Sequence, residues 1–155
     1  MNKEQIIDTW HINNRIDLYL LDSIDEANLS DALTSKGRNV AEQFAHIHNV
    51  RLMWLKAAMP GLLEAVTKIE KDAAITKEMI KTNLTASADA IAKLIENACD
   101  TGGRVKGFKP HVTGFLGYML AHDAHHRSQI ILALKQSGHK VDQKTGYGIW
   151  EWGSR

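Results

Sequence analysis

Only two prolines, Pro60 and Pro110, interrupt 155 residues, and between the breaks the apolar side chains recur at three- and four-residue intervals. A proline inside a helix removes a backbone hydrogen bond and clashes with the preceding turn, so long proline-free stretches with this period are free to be helical. There are four of them. The first, Lys3 to Ser23, carries Ile6, Ile7, Trp10, Ile16, Leu20 and Leu21, with Asn13 and Asn14 weakening the pattern. The second opens at Asn39 with Glu42 three residues on, a capping-box signature, runs from Val40 to Ala58 and stops at Pro60-Gly61. The third, Thr76 to Asp100, turns Met79, Ile80, Leu84, Ile91, Leu94 and Ile95 inward and ends at Thr101-Gly102-Gly103. The fourth runs from His111 to Gln136 and closes at Ser137-Gly138. The expectation is an all-α fold, an antiparallel four-helix bundle, in one domain spanning residues 1–155.

The connections are less regular. Asp22 to Gly37 is polar, with room for one helical turn at Leu29 to Leu33, and Leu62 to Ala74 reads as a connector with some helix. The tail ends in Ile149-Trp150-Glu151-Trp152, and two tryptophans so placed predict that it packs back on the body.

Composition narrows the function classes. Hydrophobic residues make up 44% and charged residues 24%, the balance of a globular domain rather than a disordered chain. Net charge is +1 and no basic stripe with interleaved aromatics is found, so no nucleic-acid partner is expected. The longest uncharged stretch, Pro110 to Ala121, is too short to span a membrane, and MNKEQIIDTW lacks an apolar signal core. The expected location is cytoplasmic, with no membrane partner. The single cysteine, Cys99, excludes an intrachain disulfide. With Asp100 beside it, it reads as a small packed residue rather than a nucleophile.

The outlier is eight histidines in clusters. His122 and His126, in Ala-His-Asp-Ala-His-His-Arg-Ser-Gln, are four residues apart and project from one helix face. That is the spacing by which a helix gives two nitrogens to one metal ion. The same face continues through Phe115, Met119, Ile130 and Ala133, so it points inward. The plainer reading is two core histidines with ordinary hydrogen bonds, and the pair alone does not decide. A second cluster, His46 and His48 in the second helix, shifts the balance toward a metal. The two lie about 200° apart around the helix, so at most one faces the site. The face of His48 (Ala41, Phe44, Ala45, Leu52, Leu55) is more apolar than that of His46 (Glu42, Gln43, Asn49, Val50, Met53). On that ground His48 is preferred as third ligand, with His46 as the alternative. Three protein ligands and an open position is how catalytic metal sites are built. Asp123 and Arg127, four apart, are read as a helix-surface ion pair, or Arg127 as an anion-binding group at the rim. Gln129 is expected to bond a ligand or a neighbouring helix, and His125 to lie at the surface or behind the site.

AEQFAHIHNVRLMWL in the second helix, HDAHHRSQ in the fourth and the closing IWEWG together resemble the DinB-like superfamily, which includes damage-inducible and bacillithiol S-transferase-like proteins. Ser128 stands where glycine is usual in that motif. The resemblance implies an up-down-down-up bundle, a homodimer, and a divalent metal on three histidines: His122, His126 and either His46 or His48. Zinc or nickel suits such ligands, and iron also. It further implies a metal-dependent enzyme acting on a small-molecule thiol and an electrophilic substrate, of S-transferase or hydrolase-like type. A non-catalytic metal- or ligand-binding stress-response bundle is the alternative. No catalytic residue is assigned beyond the ligands.

Overall fold

A computed structural model describes residues 2–155; Met1 lies outside it. Four long helices carry the fold: α1 (Lys3–Asp22), α2 (Val40–Ala58), α3 (Lys77–Asp100) and α4 (Val112–Gln136), followed by a short α5 (Gln143–Gly148). Among the described residues there is no strand, only two isolated bridges, Ala32 with Asn39 and Arg104 with His111.

Each long helix starts where a side chain meets free backbone N–H groups. Asn2 accepts from Glu4, Thr76 from Met79, and the His111 Nδ1 from Gly114. The capping box of α2 is complete: Asn39 Oδ1 accepts from the Glu42 amide, and Glu42 accepts from the Asn39 amide, both at 2.9 Å. Gly138, with φ +86°, ends α4 in the left-handed conformation that glycine adopts freely.

α1 and α2 each pack between α3 and α4, so α1 faces α2, and α3 faces α4, across the diagonals. Lys3 reaches Asp100 and Lys81 reaches Asp22, so α1 and α3 are antiparallel. Gln43 meets Gln129 while Trp54 meets Phe115, so α2 and α4 are antiparallel as well. Asn13 and Asp17 pair with Asp123 and Arg127 in the same chain sense. α1 and α4 therefore run one way and α2 and α3 the other, the up-down-down-up order.

The apolar positions read from the sequence are mostly interior: Ile6, Trp10, Ile16, Leu20, Leu21, Ile80, Leu84, Ile91, Leu94 and Ile95 are buried, whereas Ile7 and Met79 are half-buried. Each such large side chain contributes roughly 1.5–3 kcal/mol by leaving water. Trp10 also donates its indole N–H to the Ala88 carbonyl at 2.8 Å, tying α1 to α3.

The connections differ from expectation in detail. The helical turn before α2 is a 3-10 turn at Glu26–Ser30, earlier than Leu29 to Leu33, and helix in the second connector is confined to Pro60–Ala65. The tail does return to the body. Arg155 lies 3.7 Å over the Tyr19 ring and donates to the Gly148 carbonyl. Trp150 is 76% exposed, whereas Trp152, 36% exposed, lines a hollow with Leu120 and Ala124 of α4. No helix among the described residues is long and apolar enough to cross a membrane.

Candidate metal centre

Three imidazoles converge between α2 and α4. His46 comes from α2, His122 and His126 from successive turns of α4, and one ring nitrogen from each lies within 4.8 Å of the other two. The His46 and His122 Nε2 atoms are 3.4 Å apart. Ring centroids are 4.5 Å apart for His46 and His126, and 4.6 Å for His122 and His126. Among the described residues no cysteine or carboxylate joins them as a fourth ligand.

The far side of each α4 ring is tied outward. His122 Nδ1 lies 3.2 Å from a carboxylate oxygen of Asp123, and His126 Nδ1 lies 2.7 Å from the side-chain oxygen of Gln43. Both partners accept, so both Nδ1 atoms carry the proton and both Nε2 atoms keep their lone pairs free. The orientation of Gln43 is set by its neighbours. Its amide N–H donates to Gln129 Oε1 at 2.7 Å, and the Gln129 amide in turn donates to His125 Nε2 at 2.9 Å. His125 itself is exposed and outside the cluster.

Burial, the Arg38 charge and His122 push the His46 imidazole down to about 4. Burial and the neighbouring imidazoles His122, His46 and His125, with Arg38, push His126 down to about 3. Both rings are therefore neutral near pH 7, the form that ligates a metal. Nitrogens sharing one tetrahedral ion at about 2.0–2.1 Å stand about 3.3 Å apart, and the His46 to His122 separation already matches. The donor set, three imidazoles of which His122 and His126 have outward-tied Nδ1 protons, fits a divalent cation.

His48 is elsewhere. It is fully buried, as its apolar face predicts, but that face looks toward the connector after α2, and its Nε2 lies 2.7 Å from the Thr67 carbonyl. Its neighbour Asn49 holds the same connector by two hydrogen bonds to Ile69, at 2.8 and 3.1 Å. The preference for His48 over His46 thus does not match the geometry. A bundle helix has two neighbours, and the more buried face here is not the one turned to α4.

The reading of Asp123 and Arg127 as a surface pair is also corrected. Both are buried and they point to other helices. Asp123 accepts from Arg51 at 3.0 Å and from Asn13 at 2.7 Å. Arg127 donates to Asp17 and Asn13 on α1 and is not a rim anion-binding group. Arg51, wholly buried on α2, also reaches Asp17 at 2.9 Å and Asn14 at 2.7 Å. Two arginines and two aspartates thus balance inside the bundle. Burial and the Asp123 charge push the Asp17 carboxyl up to about 6, against Arg127 and Arg51. Burial works against Asp123 too, but Arg51 and the His122 hydrogen bond outweigh it and hold this carboxyl below the usual range.

Gln43, Arg51, Asn13, Asn14 and Asp17 were not among the candidate site residues read from the sequence. A signal was present: Asn13, Asn14 and Asp17 share the helical face of Trp10 and Leu21, where polar residues need buried partners.

A family model for the DinB family matches residues 1–152. The chain belongs to the DinB family. No curated protein and no solved structure matches it. Within this DinB family member, the motif that carried the resemblance, His122 to Gln129, supplies two of the three converging imidazoles and a glutamine that orients a third side chain, Gln43. His111 and His139 are occupied elsewhere, one capping α4 and the other 2.7 Å from Asp31. Burial first, then Asp100, raises the Cys99 thiol above its usual range, against a nucleophilic role.

Proposed function

We propose that this DinB family member is a metal-dependent enzyme of thiol S-transfer type, with His46, His122 and His126 holding one zinc or nickel ion, or iron. The observation that carries the reading is the convergence of three imidazoles without a fourth protein ligand among the described residues. A divalent cation held there supplies a lowered pKa to a thiol or water entering its free positions, and so a nucleophile at neutral pH. The chain's own residues do the positioning. Asp123 and Gln43 fix the His122 and His126 rings, and Asn49 and His48 hold the connector that walls the adjoining cavity.

The same reading includes a homodimer in the cytoplasm. Exposed Tyr147, Trp150, Trp152 and Leu132 support a self-association face on the tail and α4.

The test is zinc and nickel content of the purified chain, followed by transfer of a small thiol, cysteine or glutathione, to a chromogenic aryl chloride. Stoichiometric metal with metal-dependent turnover is expected. Stoichiometric metal without turnover supports the non-catalytic bundle, and absence of metal after reconstitution overturns the proposal.

A further inference from the structure

The His46 ring forms part of the wall of a cavity of about 610 Å³, the size of a small-molecule site, enclosed by α2, the turn before it and the connector after it. Five charged side chains share that wall: Arg38, Glu42, Lys68, Glu70 and Lys71. They do not cancel. Glu42 is committed to the α2 capping box, and Glu70 accepts from Lys68 at 2.8 Å. Among the described residues Arg38 and Lys71 have no ion pair and no side-chain hydrogen bond. Arg38 stands at the tip of a fixed turn: Lys36 and Gly37 have φ of 70° and 112°, and the Val40 amide donates to the Asp31 carbonyl at 2.8 Å. The opposite wall is fixed as well, since Asn49 clamps Ile69 and places its backbone beside Ile75 and Ala45.

We infer that this cavity takes a small organic molecule by an anionic group, a carboxylate or a phosphate, received by the Arg38 guanidinium, with Lys71 as a second cation and the molecule's apolar part against Ile69 and Ile75. The guanidinium presents paired N–H donors that match either oxyanion. Three amides at the start of α2 are already engaged: Val40 donates to the Asp31 carbonyl, Glu42 to the Asn39 side chain and Gln43 to the Asn39 carbonyl. Imidazole is an uncharged ligand, so a divalent ion held by three of them would keep its full charge, which an anionic substrate offsets. The inference deepens the proposed function and rests on it for the reaction, but binding of the anion to the metal-free chain does not depend on it.

The test uses the metal-free full chain at pH 7.5 and fixed ionic strength, titrated separately with glutarate, inorganic phosphate and the neutral diamide of glutarate. The readout is the His46 ring resonance. A saturable shift is expected with at least one anion, and none with the diamide. Saturation by glutarate alone, or by phosphate alone, identifies which oxyanion the site takes. Arg38→Gln weakens that binding by about tenfold, the loss of a charge-assisted hydrogen bond. Lys71→Gln weakens it less, and Lys93→Gln, on the far helix α3, leaves it unchanged. Circular dichroism of each variant confirms the helical fold. No saturation with either anion, or an Arg38→Gln protein that binds like the parent, overturns the inference. Zinc affinity measured on the same samples separates the readings: anion binding without zinc binding sinks the metal proposal alone, and zinc binding without anion binding sinks this one alone.

Discussion

The Nε2 atoms of His46 and His122 face each other at 3.4 Å across the seam between α2 and α4. They are 76 residues apart in the chain, and Asp123 holds the His122 ring with its proton on the far side. That separation suits either an N–H···N hydrogen bond between the two rings or two ligands of one shared cation.

That relationship separates the two histidines of α2. Removing His46 takes away a ligand, whereas removing His48 takes away a buried hydrogen bond to the Thr67 carbonyl. His46→Ala, His122→Ala and His126→Ala are expected to lower zinc affinity by roughly 100-fold or more, since each removes a direct ligand where even an outer partner is worth about 10–100-fold. His48→Ala is expected to keep a full equivalent of zinc but to lose roughly 1–3 kcal/mol of stability. Chelator competition and urea unfolding on the four variants check both statements. Full zinc binding by His46→Ala contradicts the assignment.

Gln43 touches His126 but not the position a cation would take. Gln43→Leu keeps the bulk and removes the acceptor that holds the proton on His126 Nδ1. Zinc affinity is expected to fall about 10–100-fold with the helical fold intact. Nitrogen-15 NMR of the metal-free protein should show His126 losing its preference for the Nδ1–H form. An unchanged tautomer with unchanged affinity would remove Gln43 from the site.

Arg51 is the charge on which the buried polar network turns. Arg51→Met leaves Asp17 and Asp123 buried with Arg127 alone, and removing one partner of a buried pair costs roughly 3–5 kcal/mol. For a chain of this size that lowers Tm by on the order of 10 °C. Adding Asp17→Asn should cost less than the sum of the single changes, because the second change removes a carboxylate already stripped of a partner. Thermal unfolding of the two single variants and the double variant decides this, and strict additivity counts against a shared network.

Trp150, 76% exposed, and Tyr147, 66% exposed, stand on the tail face proposed for self-association. Light scattering at micromolar concentration is expected to give the mass of two chains, and Trp150→Ala to shift the population toward one. A parent protein of single-chain mass would sink the homodimer, leaving the histidine cluster untouched, since α2 and α4 of one chain supply all three rings.

The sequence by itself determined what depends on neighbours along the chain. Asn39 and Glu42 start α2, Pro60 marks where it has ended, and the four-residue interval puts His122 and His126 on one face of α4 whatever surrounds them. The helical period likewise selects most of the core. Tertiary structure decided everything that depends on which neighbour a face meets. His46 and His48 differ by two residues and about 200° of rotation, and hydrophobicity correctly ranked His48 as the more buried. Burial does not tell a helix lying between α3 and α4 which of its inner faces meets which partner. The same holds for Asp123 and Arg127. Their spacing permits a pair on one helix, but α1 offers Asn13 and Asp17, and α2 offers Arg51, at positions where water is excluded. Buried charges take the partners that packing supplies, and the register between helices, set by the side chains of all four at once, fixes which partners those are.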